Sequence, residues 1–117
     1  MANPESLQIG RIVWAEVADR NGIRKQRPAI IVSSATDSSD KLTIVAVTSR
    51  VPDILPDDHV SLPWHPQGHP RTGLNRRSAA VCSWVSQIDA CDVLAASGIV
   101  PGVELLAILN KINEQQQ

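Results

Sequence analysis

Arg27, Thr48 and Ser49 carry the side chains in this chain best suited to hold a phosphate. A guanidinium fork gives bidentate contacts to such a group, and two hydroxyls give single ones. Arg27 lies 21 positions before Thr48 in sequence, so any joint chemistry depends on the elements between them. Pro28-Ala-Ile-Ile-Val-Ser33 and Leu42-Thr-Ile-Val-Ala-Val-Thr48 read as strands, separated by the polar stretch Ser34–Asp40. A hairpin turning near residues 37–38 places Arg27 opposite Thr48, with Cβ atoms ~4.5–5.5 Å apart if they pair directly. Because Pro28 follows it, Arg27 is biased to extended backbone. The long loop leaves the register open by a residue or two. Two readings of Arg27 stand side by side: the centre of an anion site, or a strand-end cation in an ion pair with Glu16 or Asp19.

Two further basic groups, Arg20/Arg24/Lys25 and Arg71/Arg76/Arg77, could join Arg27 along a groove that follows a short single strand of nucleic acid. Loop charge kept for solubility is the alternative, with Arg24 and Lys25 set apart because their segment leads directly into Arg27. Other reactive residue types offer less. His65 and His69 frame Pro66-Gln-Gly68, and that Pro and Gly deny the helical face a two-histidine zinc motif needs. No third ligand beyond His59 is evident, so loop histidines are the simpler reading, and neither a metal nor another cofactor is expected. Cys82 reads as packed within a strand and Cys91 as lying on a short helix. Asp53, Asp57 and Asp58 read as loop solubilisers without a partner for two-carboxylate catalysis.

Composition narrows the function. The 117 residues suffice for one domain, 1–117 with a core over about 10–112, and with 43% apolar and 20% charged residues the chain can bury a core. The formal net charge is −1, which argues against a protein that grips nucleic acid by bulk electrostatics. Charge is uneven, however: residues 1–77 carry ten of the eleven Lys/Arg and eight of the twelve acids. An anion site therefore belongs to the first two thirds. Phe and Tyr are absent, which leaves Trp14, Trp64 and Trp84 as the only side chains able to stack on a base, each equally suited to core or rim. Two cysteines give no disulfide framework. No apolar run reaches the ~18–20 residues of a membrane helix, and Met1–Ser6 lacks the regions of a signal peptide. A cytoplasmic protein with reduced thiols and no membrane contact is expected.

The elements that must position these residues are short. Arg11–Val17 alternates as a strand and ends in the turn cluster Asp19-Arg-Asn-Gly22. His59–Leu62 reads as an edge strand, and the Pro- and Gly-rich stretch Pro63–Asn75 as a long irregular loop. Ser78–Val85 reads as a fifth strand, with a short sixth at Gln87–Ile88. Asp89 then caps a short helix that stops near Gly98. Pro101 opens a closing helix with Leu105, Ile108, Leu109 and Ile112 on one stripe. The sum is a β-dominated α+β domain, a small curled antiparallel sheet with a C-terminal helix against it.

In this order the residues resemble a known family. Gly10-Arg-Ile-Val-Trp14, Gly22 and Arg27-Pro-Ala-Ile-Ile-Val-Ser33 resemble the opening of the MazF/PemK (Kid) toxins of type II toxin–antitoxin modules. Val45-Ala-Val-Thr-Ser49 is similar to their strand ending in Thr-Ser, and Gly73-Leu74, Ser78, Ile88-Asp89 and Pro101–Ile112 match later landmarks. The resemblance implies a small SH3-like, CcdB/PemK-type barrel working as a homodimer. It also implies a metal-independent endoribonuclease that cuts single-stranded RNA through the 2′-hydroxyl, inhibiting translation and growth until a cognate antitoxin's acidic and apolar tail covers the site. The family's strand-two Arg falls on Arg27 and its strand-three Thr on Thr48, with Ser49 beside it. Arg24, Lys25, Gln26, Arg76 and Arg77 are the residues expected to guide RNA.

Two departures stand out. Some Kid-like members carry Arg and Asp on strand five, where this chain has Val81 and Ser83, and the acidic or His-bearing first loop of many members is replaced here by Ile23-Arg-Lys-Gln26. Two alternatives follow: a CcdB-like gyrase poison, whose family acts through a C-terminal Trp absent from Asn113–Gln117, and a non-catalytic RNA-binding relative.

Overall fold

The computed structural model describes residues 8–19, 21–33 and 41–115. Arg20, the Ser34–Asp40 loop, the start Met1–Ser6 and the last two residues of the tail lie outside these. Six strands, β1 (Arg11–Ala18), β2 (Arg24–Ser33), β3 (Lys41–Thr48), β4 (His59–Leu62), β5 (Ser78–Asp89) and β6 (Val93–Ile99), precede one helix, α1 (Gly102–Gln115). They form a single antiparallel sheet in the order β4-β5-β3-β2-β1-β6.

β2 and β3 pair as a hairpin through their apolar centres. Ala29 pairs with Ala46, Ile30 with Val45 and Ile31 with Ile44, and a one-residue shift appears only towards the loop, between Ile31 and Ser33. These strands are apolar on both sides, so the sheet supports two cores. One face gathers Ile12, Ile30, Val45, Leu62, Ala80 and Cys82 beneath Ile108 of α1, with Leu105 and Ile112 beside it. The other holds Val13, Ala15, Val17, Ala29, Ile31, Leu42 and Ile44, with Trp84, Val93 and Ala96 packed onto it. Burial on the first face pushes the Cys82 thiol up to about 11; Cys91 is exposed.

The short helix expected over 89–98 is a correction. Ala90–Asp92 make a single 3-10 turn, Asp89 gives it no side-chain cap, and residues 93–99 form β6 on the outer edge of β1. Helical propensity in this stretch is overridden because β1 needs a second neighbour for its backbone groups. The expected break between a fifth and a short sixth strand at residue 86 is likewise absent: β5 runs unbroken for 12 residues, but with a large bulge. Val45 pairs with Val85 and the next residue, Ala46, with Val81, so Cys82, Ser83 and Trp84 stand out of register. In a regular strand Cys82 and Trp84 would share a face; the bulge sends Cys82 to the helix-covered core and Trp84 to the opposite one.

The Pro63–Arg77 stretch lacks regular structure but is held by its own side chains. Thr72 is fully buried; its hydroxyl donates to the Pro63 carbonyl (2.8 Å) and accepts from the Leu74 N–H (3.2 Å). Nδ1 of His65 accepts from the Gln67 N–H, and Nδ1 of His69 from the Arg71 and Thr72 N–H groups. Both histidines thus act as loop staples. The loop is in turn bonded to β6 through Ile99 N–H and the Arg71 carbonyl at 2.8 Å. Gly98 makes this approach possible, because a β-carbon there would collide with the Thr72 and Arg71 carbonyls. Gly98→Ala is expected to cost about 3 kcal/mol, read as a lower urea midpoint at unchanged slope; an unaltered midpoint would show that the loop is not clamped to β6.

Candidate functional site

The ends of β2 and β3, the β1–β2 turn and the last part of the stapled loop enclose a groove of about 730 Å³. Arg27, Thr48 and Ser49 all line it, with Lys25, Gln26 and Arg76. Arg27 sits opposite Ala15 of β1, and Thr48 opposite Ala79 of β5. Continuing the β2–β3 register by two residues from Ala29 and Ala46 places Arg27 and Thr48 side by side on one face. Thr48 Oγ1 accepts from the Arg50 N–H at 3.1 Å, which leaves its own proton free to donate.

The groove wall carries four cations, Lys25, Arg27, Arg50 and Arg76, against one carboxylate, Asp19. A chain with net charge −1 thereby presents one locally positive concavity, where low-dielectric walls concentrate the field on an anion. Trp14, 40% exposed, and Leu74 give the same groove apolar surface.

Arg27 is the most constrained of these residues. Its side chain is 24% exposed, and its Nη2 lies 4.0 Å from Asp19 Oδ2. The ion pair offered by the plain reading is therefore present, inside the groove and at the long end of contact. Asp19 Oδ1 meanwhile accepts the Asn21 and Ile23 N–H groups at 2.9 and 3.0 Å, and Gly22, with φ of 79°, lets the turn close. One carboxylate oxygen thus builds the turn while the other faces the guanidinium. The Arg27 guanidinium carbon also sits over the Trp84 ring, 4.9 Å from its centroid.

Other expected residues fall elsewhere. Arg24 points to solvent and pairs with Glu16 at 3.8 Å. Arg77 reaches the Pro52 carbonyl at 3.4 Å. Neither lines the groove, nor does Arg71; Arg20 lies outside the described residues. Val81 and Ser83 are also absent from the groove wall. Asp58, read from sequence as a loop solubiliser, is corrected to a structural residue: it accepts a hydrogen bond from the Ser83 hydroxyl, pairs with His59 Nδ1 at 2.7 Å, and offers its carbonyl to the Cys82 N–H at 2.7 Å. Asp58 therefore pins the β5 bulge. Asp19, Arg50, Asn75 and Trp84 were not singled out as site residues by sequence; only for Asp19 was a signal available, its nearness to Arg27 across the turn. Among the described residues no three of His, Cys, Asp or Glu come together as a metal site, and no helix is long and apolar enough to cross a membrane.

Residues 8–115 match the family of PemK-like, MazF-like toxins of type II toxin–antitoxin systems. Crystal structures of the same fold include MazF from Deinococcus radiodurans, 20% identical, with 93% of this chain aligned to 94% of that one at a TM-score of 0.70. The MazE–MazF complex from the same organism aligns over 93% of both chains, 20% identical, at 0.66. An endoribonuclease in complex with its cognate antitoxin from a mycobacterial species is 19% identical over 90% of this chain and 85% of that one, at 0.55. No curated protein matches. These shared architectures support the curled, β-dominated sheet with its C-terminal helix.

The Ser83 hydroxyl, chiefly, holds the Asp58 carboxyl below the usual carboxylate range; partial burial opposes this and His59 adds to it. Stability from this bond is complete above the unfolded-state value and disappears as the pH falls through the depressed one. Ser83→Ala is expected to lower stability by about 1 kcal/mol at neutral pH, with the gap to wild type closing in acid. A gap constant across an acid urea-denaturation series would contradict the assignment.

Proposed function

We propose that this chain, which belongs to the PemK-like, MazF-like toxin family of type II toxin–antitoxin systems, is an endoribonuclease toxin that cuts single-stranded RNA in the groove at Arg27, Thr48 and Ser49. The observation that carries this reading is the composition of the groove wall: four cations, two hydroxyls at the end of β3 and a single carboxylate, gathered at one end of the sheet.

Each group has a part in attack by the 2′-hydroxyl on its own 3′-phosphate. Asp19, the carboxylate of the groove, takes the 2′-hydroxyl proton as its oxygen bonds to phosphorus. Arg27 stabilises the charge gathering on the non-bridging oxygens with donors already in place, so little reorganisation is needed. Thr48 and Ser49 hold the same oxygens and keep the attacking and departing atoms in line. The bond to the 5′-oxygen breaks, that oxygen takes a proton from water, and the products are a 2′,3′-cyclic phosphate and a 5′-hydroxyl. Lys25, Gln26 and Arg76 lie along the wall where flanking phosphates run, with Arg24 and Arg77 outside it. Apart from the water that protonates the leaving oxygen, the groups are side chains of the chain itself, and the reaction proceeds without a metal.

The whole chain acts as one toxin domain and works as a homodimer. The natural inhibitor is an antitoxin segment of acidic and apolar character, whose charge suits the cationic wall and whose apolar side chains suit Trp14 and Leu74.

Purified protein in EDTA is expected to cut a long single-stranded RNA at discrete positions, leaving cyclic phosphate ends. Arg27→Ala is expected to lower kcat about 100- to 1000-fold, and Thr48→Ala about 10-fold, without loss of fold. RNA bound but left intact by the wild-type protein would favour a non-catalytic relative and overturn the reading. Asp19→Asn keeps an acceptor for the turn while removing the base, and is expected to cost about 100-fold in kcat; full activity would remove Asp19 from the mechanism.

A further inference from the structure

Trp84 packs onto the second core and also meets Arg27, a contact that the anion site does not account for. Its ring lies 4.9 Å from the Arg27 guanidinium carbon, within the ~6 Å at which a cation is attracted to an aromatic face. The indole N–H donates to the Ala18 carbonyl at 2.9 Å. Ala18 immediately precedes Asp19, so the segment that places the carboxylate near Arg27 also anchors the ring.

Three observations show that this placement is built. Trp84 reaches the Arg27 face only because the β5 bulge reverses the facing of the strand between Val81 and Val85. The bulge is held by Asp58, which binds the Ser83 hydroxyl and the Cys82 N–H. Arg27 Nε is buried and has no hydrogen-bond acceptor among the described residues, so no polar contact at that atom fixes the plane of the fork. Asp19, at 4.0 Å, is too distant to fix it either. What remains to set the orientation is the flat face of the indole.

We infer that Trp84 is a positioning residue for Arg27, holding the guanidinium by its ring face so that the Nη edge is presented to the scissile phosphate. The inference rests on the endoribonuclease reading of the groove. Trp84 does not line that groove, so it acts on the rate of the chemical step through Arg27 and leaves RNA binding alone.

The test compares wild type, Arg27→Ala, Trp84→Leu and Trp84→Phe on one RNA substrate, with kcat and KM separated and the Arg27 Nε–H proton followed by NMR. Trp84→Leu, which keeps an apolar side chain on the core and removes the π face, is expected to lower kcat about 10-fold with KM unchanged. Trp84→Phe, which keeps a ring and loses the bond to Ala18, is expected to retain most of the rate. The Nε–H proton is expected upfield in wild type and Trp84→Phe, shifted by the ring, and at its ordinary position in Trp84→Leu. An unchanged kcat in Trp84→Leu beside an inactive Arg27→Ala overturns the positioning role and leaves the endoribonuclease reading standing. A rise in KM at constant kcat, or an Nε–H proton at its ordinary position in wild type, overturns it as well. A folded wild-type protein that cuts no RNA overturns both.

Discussion

The sheet of this protein cannot lie flat, and most of its architecture follows from that constraint. β5 and β6 stand four positions apart in the strand order, with β3, β2 and β1 between them, a separation of roughly 19 Å in a flat sheet at ~4.8 Å per strand. Only Ala90–Asp92 connect them, and the four steps from Asp89 to Val93 reach at most about 14 Å. The sheet must curl until its two ends meet. The register shifts of β1 against β6 and the bulge in β5 supply the curvature. Closure then makes both faces buriable: one beneath α1, the other against side chains that arrive from the far end of β5 and from β6.

The same curl brings together groups that no single element carries. Arg27 belongs to β2, Thr48 to β3, Asp19 to the first turn, Arg76 to the loop after β4 and Trp84 to the β5 bulge. Their convergence leaves Arg27 only 24% exposed, beside a carboxylate and an aromatic ring. A cation so enclosed has lost much of its water and is held by contacts of modest strength, so it is primed to gain from an arriving anion. The neighbouring loop lends its last residues, Leu74 to Arg76, to the groove wall and holds its own shape with the rest. Nδ1 of His65 and of His69 and the Thr72 hydroxyl are bonded to backbone groups of the loop, the structural part that histidines framing a Pro and a Gly take here.

Legibility tracked the range of the interaction involved. Alternation along residues 11–17 and the short apolar runs of 28–33 and 42–48 displayed the strands, and the stripe Leu105, Ile108, Leu109 and Ile112 displayed the helix, because these patterns record which faces are buried. Hairpin geometry went further and placed Arg27 beside Thr48 from spacing alone, since the strands are adjacent and their register is pinned by apolar faces. The stretch 89–99 resisted the same treatment. Its Asp, Ala and Gly are compatible with a capped helix, and its strand state comes from pairing with β1, almost eighty residues earlier in the chain. Asp58 resisted as well: it lies in a polar loop, and its partner Ser83 is brought to it only by pairing of β4 with β5.

The sequence by itself determined the strands, the closing helix and, to within a residue or two, the β2–β3 pairing that brings Arg27 near Thr48, since each depends on patterns within an element or between neighbours joined by one loop. The tertiary structure alone decided which basic residues share a wall and which face solvent, setting Lys25 and Arg76 in the groove and Arg24 and Arg77 outside it. It also decided that Trp84 meets Arg27, because a bulge reverses the facing of every residue beyond it. Such a reversal leaves no mark on the residues themselves: Cys82, Ser83 and Trp84 would suit a regular strand equally well, and the fault in their register is imposed by closure of the sheet.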